Sequence, residues 1–215
     1  MKLHLFDVDY TIVRRSTVRE FLFFALKEGL VGYSIIWYLP GLFFNFLCRG
    51  TRGKHAEKEY PFLRGIEKSK LEALSQRVFA TRLLPKLDQE ILKRIKTIQS
   101  GEEKVVIASS SFLSLLEPLA KHLSIQDIVS SEIEFKDGFS TGKLSGEAAF
   151  GRGKKNRIMD YLAGQKVAES DCTFYTDSSH DLPLLQEVGR AVAVNPDRRL
   201  ERIALKEGWE IIKTI

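Results

Sequence analysis

From residue 104 to the end of the chain, short apolar runs alternate with helical stretches, and this restricts the fold more than any other feature. Residues 104–108 read as a buried strand, followed by a helix over 112–123. Residues 128–134 alternate like a strand, Lys136-Asp137-Gly138 marks a turn, and 139–144 returns as a hairpin partner. A helix over 154–163, a strand over 172–176, a helix over 182–188, a strand over 191–194, a helix over 197–207 and a last strand over 209–212 complete the run. Strands that alternate with helices pair in parallel and build a layered α/β sheet. Residues 3–7 form one more apolar strand, whose backbone groups need partners in that same sheet.

Between this first strand and residue 104 the pattern is helical. Val18, Phe21, Leu22, Ala25 and Leu26 fall at helical spacing, with Ser16 or Thr17 as N-cap and Gly29 as a stop. Leu71, Leu74, Val78 and Phe79 mark a second helix, and Leu87, Ile91, Leu92, Ile95 and Ile98 another, closed by Gly101. The expected organisation is a core made of 1–13 and 101–215, with 14–100 inserted after the first strand. Residues 31–47 carry no charge and are rich in aromatics, but Pro40-Gly41 and Asn45 interrupt them and they are short for a membrane span. A buried or interfacial helical hairpin is expected over 31–48, a candidate for contact with a membrane surface or a second copy.

The formal charge of +5 is dispersed, and the basic residues are not interleaved with aromatics in one stripe, so no nucleic-acid partner is expected. Cys48 and Cys172 lie far apart and have no metal-binding spacing, which fits a reducing compartment. The opening residues meet Asp7 and Asp9 before any apolar leader can form, so a cytoplasmic location is expected.

In an open parallel sheet, sites form beyond the carboxyl ends of the strands. Asp7 and Asp9 follow the first strand, Ser109, Ser110 and Ser111 the second, and Asp177 to Asp181 the strand over 172–176. The basic run Arg152-Gly153-Lys154-Lys155 opens a helix that could face the same edge. Each piece alone is ordinary loop or cap chemistry. Together they are complementary: several carboxylates in one cleft need a cation, and oxygen ligands beside a phosphate favour Mg2+. A carboxylate is a competent nucleophile on phosphorus, and hydroxyls and a lysine can hold phosphoryl oxygens.

Four segments, in order, resemble the motifs of the haloacid dehalogenase superfamily of phosphatases. They are Phe6-Asp7-Val8-Asp9-Tyr10-Thr11, Val105-Val106-Ile107-Ala108-Ser109, Gly151-Arg152-Gly153-Lys154, and Phe174-Tyr175-Thr176-Asp177-Ser178-Ser179-His180-Asp181. Residues 182–185 and 192–197 also look like the phosphoserine phosphatase-like branch, which carries a helical cap. The resemblance implies a three-layer Rossmann-like core with a parallel sheet and an inserted all-helical cap over 14–100. It implies a Mg2+-dependent phosphomonoester hydrolase in which Asp7 is the nucleophile, forms an aspartyl phosphate, and Asp9 is the general acid and base. Mg2+ would be held by the Asp7 carboxylate, the Asp9 carbonyl and the Asp177 carboxylate, with Asp181 and Ser178 supporting that shell. Ser109, Ser110 and Lys154 would hold the phosphoryl group, although helical phase alone does not decide between Lys154 and Lys155. Tyr10 departs from the glycine many relatives carry there. Tyr10, Arg14 and Glu20 are candidates for reading the leaving group. The implied substrate is a small phosphorylated metabolite, phosphoserine-like or a lipid head-group phosphate. Transfer to an acceptor alcohol, or a non-catalytic module of the same fold, are the alternatives.

Overall fold

A computed structural model of the chain describes residues 2–29 and 60–214. The apolar segment 31–48 and Cys48 lie outside the described residues. Strands β1 (Leu3–Phe6), β2 (Lys104–Phe112), β3 (Asp127–Ser131), β6 (Cys172–Thr176), β7 (Arg190–Val194) and β8 (Glu210–Ile212) form one sheet in the order β3-β2-β1-β6-β7-β8. Every pairing in it is parallel. β4 (Ile133–Lys136) and β5 (Phe139–Leu144) make a separate antiparallel hairpin.

β1 is apolar at nearly every position because both faces of the sheet are covered. Leu3 and Leu5 point to one side. There they pack with Val106, Ala108, Phe174, Ala191 and Ala193 against Ile158 and Leu162 of one helix and Leu200 and Ala204 of another. Phe6 points to the other side, with Ile107, Tyr175, Val192 and Val194, against Ile91 and Ile95 and against Leu115, Leu116 and Leu119. The ring of Phe6 stacks on Tyr175 at 4.1 Å. Each such fully buried side chain contributes about 1.5–3 kcal/mol from burial.

The helices are α1 (Thr17–Lys27), α2 (Lys68–Val78), α3 (Gln89–Ser100), α4 (Leu113–His122), α5 (Arg152–Gln165), α6 (Leu182–Leu185) and α7 (Arg198–Glu207). Between β1 and β2 the described residues are helical, in turns or in short extended connections joined by isolated bridges such as Val13–Leu87. α1 is tied to the region after α2 by the Arg82–Glu20 pair and to α2 itself by Arg77–Glu28. α3 lies on the sheet: its Arg94 donates to Glu210 of β8 at 2.7 Å. Asp88 caps α3, accepting from the N–H groups of Glu90 and Ile91. The outgoing and returning connections of this segment run side by side, with Arg14 N–H donating to the Lys86 carbonyl and Asp88 N–H to the Ile12 carbonyl. No helix among the described residues is long and apolar enough to cross a membrane.

Two boundaries differ from the expected ones in a way that matters for the site. The strand expected to end at residue 108 continues to Phe112. Ala108 pairs with Val129 but Phe112 with Ser131, so four steps along β2 face two along β3. This bulge re-aims residues 109–111 without ending the strand. The single strand expected over 128–134 is instead two, because β3 ends in the sheet and β4 leaves it to pair with β5.

Candidate active site

β1 lies between β2 and β6, and the chain runs outward from it to both edges. Connections diverge at such a point and leave a crevice beyond the carboxyl ends of the strands. Asp7 is the first residue after β1. Its N–H donates to the Tyr175 carbonyl of β6 at 2.9 Å, which extends the ladder by one residue and fixes where the side chain emerges. Asp7 is 6% exposed.

Lys154 reaches Asp7 from α5. Lys154, Ile158 and Leu162 follow one another at i, i+4 spacing and form the buried face of that helix. The ammonium lies 3.3 Å from Asp7 Oδ1 and 2.8 Å from Asp181 Oδ2. Lys155 faces outward and pairs with Glu187. The choice the sequence left open therefore falls on Lys154 as the lysine beside Asp7. Gly153 makes that placement feasible: a Cβ there would fall 2.1 Å from the Ala148 carbonyl oxygen. Only glycine lets the preceding loop close over the first turn of α5.

Asp181 is buried, and its Oδ2 also accepts from the Thr176 hydroxyl at 2.7 Å. That hydroxyl is 3.5 Å from Asp7 Oδ2. Asp177 directly follows Thr176 and is half-buried. Ser178 accepts from the His180 N–H and thereby caps the short turn that presents Asp181.

Charge is unevenly distributed in this cluster. Burial pushes the Asp7 carboxyl up to about 7; Lys154 pulls it down, while Asp181 and Asp9 push it up. Asp177 is raised well above the ordinary carboxylate range, first by desolvation and then by the charges of Asp7, Asp181 and Asp9. Burial alone would lower the Lys154 ammonium, but Asp181 and Asp7 hold it above its ordinary value. Four acids, Asp7, Asp9, Asp177 and Asp181, around one ammonium leave the cluster short of positive charge. A bound cation would relieve that shortage. No three His, Cys, Asp or Glu side chains among the described residues converge as a ready metal group. A set of two carboxylates and one carbonyl is still what a hard cation that keeps several waters requires, so the residues present fit Mg2+.

The bulge of β2 places Ser109, Ser110 and Ser111 at the same edge. Ser109 is buried, and its oxygen accepts from the Ser111 N–H at 3.2 Å, which leaves its own proton for another acceptor. Ser110 is half-buried, and its carbonyl accepts from the Ser131 hydroxyl and the Tyr60 hydroxyl, both at 3.2 Å. Asp9 is held by Thr17: its Oδ1 accepts from the Thr17 N–H at 2.9 Å and from the Thr17 hydroxyl at 2.7 Å. Asp9 thus occupies the capping role at α1 that Ser16 or Thr17 was expected to fill; Ser16 stands at the N-cap position without a side-chain cap bond.

Tyr10 adopts φ +57°, the left-handed conformation that glycine takes freely. For a residue with a side chain this costs roughly 1–2 kcal/mol. Its carbonyl accepts from Asn195 Nδ2 at 3.4 Å. Arg14 donates to Asp88 at 2.9 Å and to the Thr214 carbonyl at 3.1 Å, and Glu20 pairs with Arg82 at 2.9 Å. Both are engaged with partners outside the Asp7 cluster.

Three residues of the site carried no functional signal in the sequence. Thr17 was visible only as a helix start. Thr176 was visible only as the polar end of an apolar strand. Tyr60 is buried at the edge of the site, and its phenol is raised by burial and by the charge of Asp9. Nothing in its sequence context distinguishes it from a packing tyrosine.

A family model for haloacid dehalogenase-like hydrolases matches residues 4–186. Phosphoserine phosphatase SerB1 of Mycobacterium tuberculosis is 28% identical over 216 residues, covering 96% of this chain and 68% of its own. A histidinol-phosphatase of Neisseria meningitidis is 26% identical over 216 residues, covering 98% of this chain and 97% of its own. A Bordetella pertussis Tohama I protein of unknown function has a crystal structure that superposes with a TM-score of 0.89 at 25% identity, over 99% of this chain and 98% of that one. The match spans β1 to α6 and so includes the three strand-end clusters and the first turn of α5 that carries Lys154: the chain belongs to the haloacid dehalogenase-like hydrolase family.

Proposed function

We propose that this hydrolase is a Mg2+-dependent phosphatase of small phosphomonoesters. The observation that carries the reading is the buried carboxylate of Asp7, 3.3 Å from the Lys154 ammonium, at the carboxyl end of the central strand. Asp7 attacks phosphorus and forms an aspartyl phosphate while the ester oxygen leaves. Asp9 gives that oxygen a proton, then takes one from the water that cleaves the aspartyl phosphate. Lys154 and the Ser109 hydroxyl hold the phosphoryl oxygens and offset the charge that develops on them. The Asp7 and Asp177 carboxylates and the Asp9 carbonyl would hold Mg2+. When bound, that ion neutralises the carboxylates and stabilises the transferring phosphoryl group. Asp181 keeps Lys154 aimed at Asp7.

The helical residues between β1 and β2 act as the cap that covers the crevice and reads the leaving group. The substrates named for two relatives, phosphoserine and histidinol phosphate, are both alkyl phosphomonoesters carrying an amine, and that is the class to try first.

The test is release of free phosphate from a panel of phosphorylated metabolites with Mg2+ present and no added alcohol. Turnover is expected for the native chain and absent for Asp7→Asn. Full activity in that variant refutes the mechanism. Product appearing only when an acceptor alcohol is supplied would make the enzyme a phosphotransferase instead.

A further inference from the structure

Asp9 Oδ1 takes two hydrogen bonds from the same residue, Thr17. Its Oδ2 enters no hydrogen bond among the described residues. The Thr17 hydroxyl oxygen is in turn 2.6 Å from the Ser111 hydroxyl oxygen. Thr17 and Ser111 are 0% and 1% exposed, so water does not compete for these groups.

The direction of this chain of hydroxyls follows from counting protons. The Thr17 hydroxyl has one proton, and its geometry gives that proton to Oδ1 of Asp9. The 2.6 Å contact must then be a donation from Ser111 to Thr17. The Ser111 N–H meanwhile donates to Ser109 Oγ. Oδ1 is saturated by two donors. A proton placed on it would have to displace one of them, in a site where a buried donor left unmatched is costly.

We propose that Thr17 and Ser111 are positioning residues for the proton transfer. Together they anchor Oδ1 of Asp9 and leave Oδ2 as the oxygen that exchanges a proton with the leaving group. Thr17 is the first residue of α1 and Ser111 lies on β2, so the anchor joins the inserted segment to the sheet at the residue that moves the proton. The proposal rests on the reading of Asp9 as general acid.

The experiment compares kcat/KM for an alkyl ester, glycerol phosphate or phosphoserine, with that for p-nitrophenyl phosphate, whose phenolate leaves without a proton. kcat/KM reports only steps up to formation of the aspartyl phosphate, so the later role of Asp9 does not enter. General acid catalysis contributes about 10²–10⁴-fold, and loss of its positioning should forfeit roughly tenfold or more of that. Thr17→Val is expected to lower the alkyl kcat/KM by at least that factor while changing the aryl value by less than about threefold. Thr17→Ser is expected to restore the alkyl value. Ser111→Ala, which removes the donor behind Thr17, should show the same split to a smaller extent and serves if Thr17→Val does not fold. An equal fall for both esters, or no fall for either, overturns the proposal. Asp9→Asn is the control. If it shows no split, the acid assignment itself is wrong; if it does and Thr17→Val does not, only the positioning role fails.

Discussion

Replacing Asp7 by asparagine should abolish turnover and at the same time make the metal-free protein more stable. Burial raises the Asp7 carboxyl from 3.8 to about 7 on folding. Between those values the native state holds a proton that the unfolded chain has lost. Stability therefore falls as pH rises through this window, and the whole penalty is present above about pH 7. At roughly 1.4 kcal/mol per tenfold change in proton affinity, the penalty is about 4 kcal/mol. A carboxamide of the same shape cannot ionise, and Lys154 keeps its bond to Asp181 in the variant. In a domain of this size the gain corresponds to a melting temperature on the order of 10 °C higher at pH 8 in EDTA. The difference should shrink to a small remainder near pH 4, where native Asp7 is protonated and neutral like the amide, and should narrow when Mg2+ is added, because the cation binds the native wild-type site preferentially. Asp177 is pushed in the same direction, so the variant should retain a shallower decline with pH. The assay is thermal unfolding of both proteins from pH 4 to pH 8, with EDTA and with Mg2+. Parallel curves across that range, or a variant less stable at pH 8, would refute the account of Asp7 as a buried carboxylate short of positive charge.

The two neighbouring lysines should behave oppositely. Lys154→Met removes the only cation paired with Asp7 and Asp181 among the described residues; it should cost about 3–5 kcal/mol in urea unfolding and lower turnover by at least about 100-fold. Lys155→Met breaks a partly exposed surface pair with Glu187 and should change the unfolding free energy by less than about 1 kcal/mol. Gly153→Ala places a methyl group against the Ala148 carbonyl and should lower stability by about 1–3 kcal/mol, along with turnover, as the first turn of α5 and Lys154 shift; an unchanged urea midpoint would count against it.

Much of the sheet was legible because its inner strands are buried on both faces and appear as mostly apolar runs. β1, β6 and β7 fall within a residue or two of where 3–7, 172–176 and 191–194 placed them. The serines of β2 were harder. A polar triplet after an apolar run normally ends a strand, and here only the pairing with β3 keeps residues 109–112 extended. Helix limits drifted for a similar reason: α5 begins at Arg152 because the loop over Gly153 folds back, which no periodicity records.

The sequence by itself determined which strand ends carry the polar residues at the crevice. Asp7 and Asp177 sit just past strand ends and Ser109 toward the end of β2, and parallel strands deliver their carboxyl ends to one edge whatever the details of packing. The tertiary structure alone decided how those residues are oriented and paired. The burial of one face of α5 selected Lys154 over Lys155. The close approach of α1 to β2 turned Thr17 from a helix start into the anchor of Asp9. These outcomes depend on contacts between elements distant in the chain, with Thr17 and Ser111 separated by 94 residues and Lys154 and Asp7 brought together only when α5 packs under the sheet. Local patterns carry the period of a helix or strand, but not the identity of the surface it will meet.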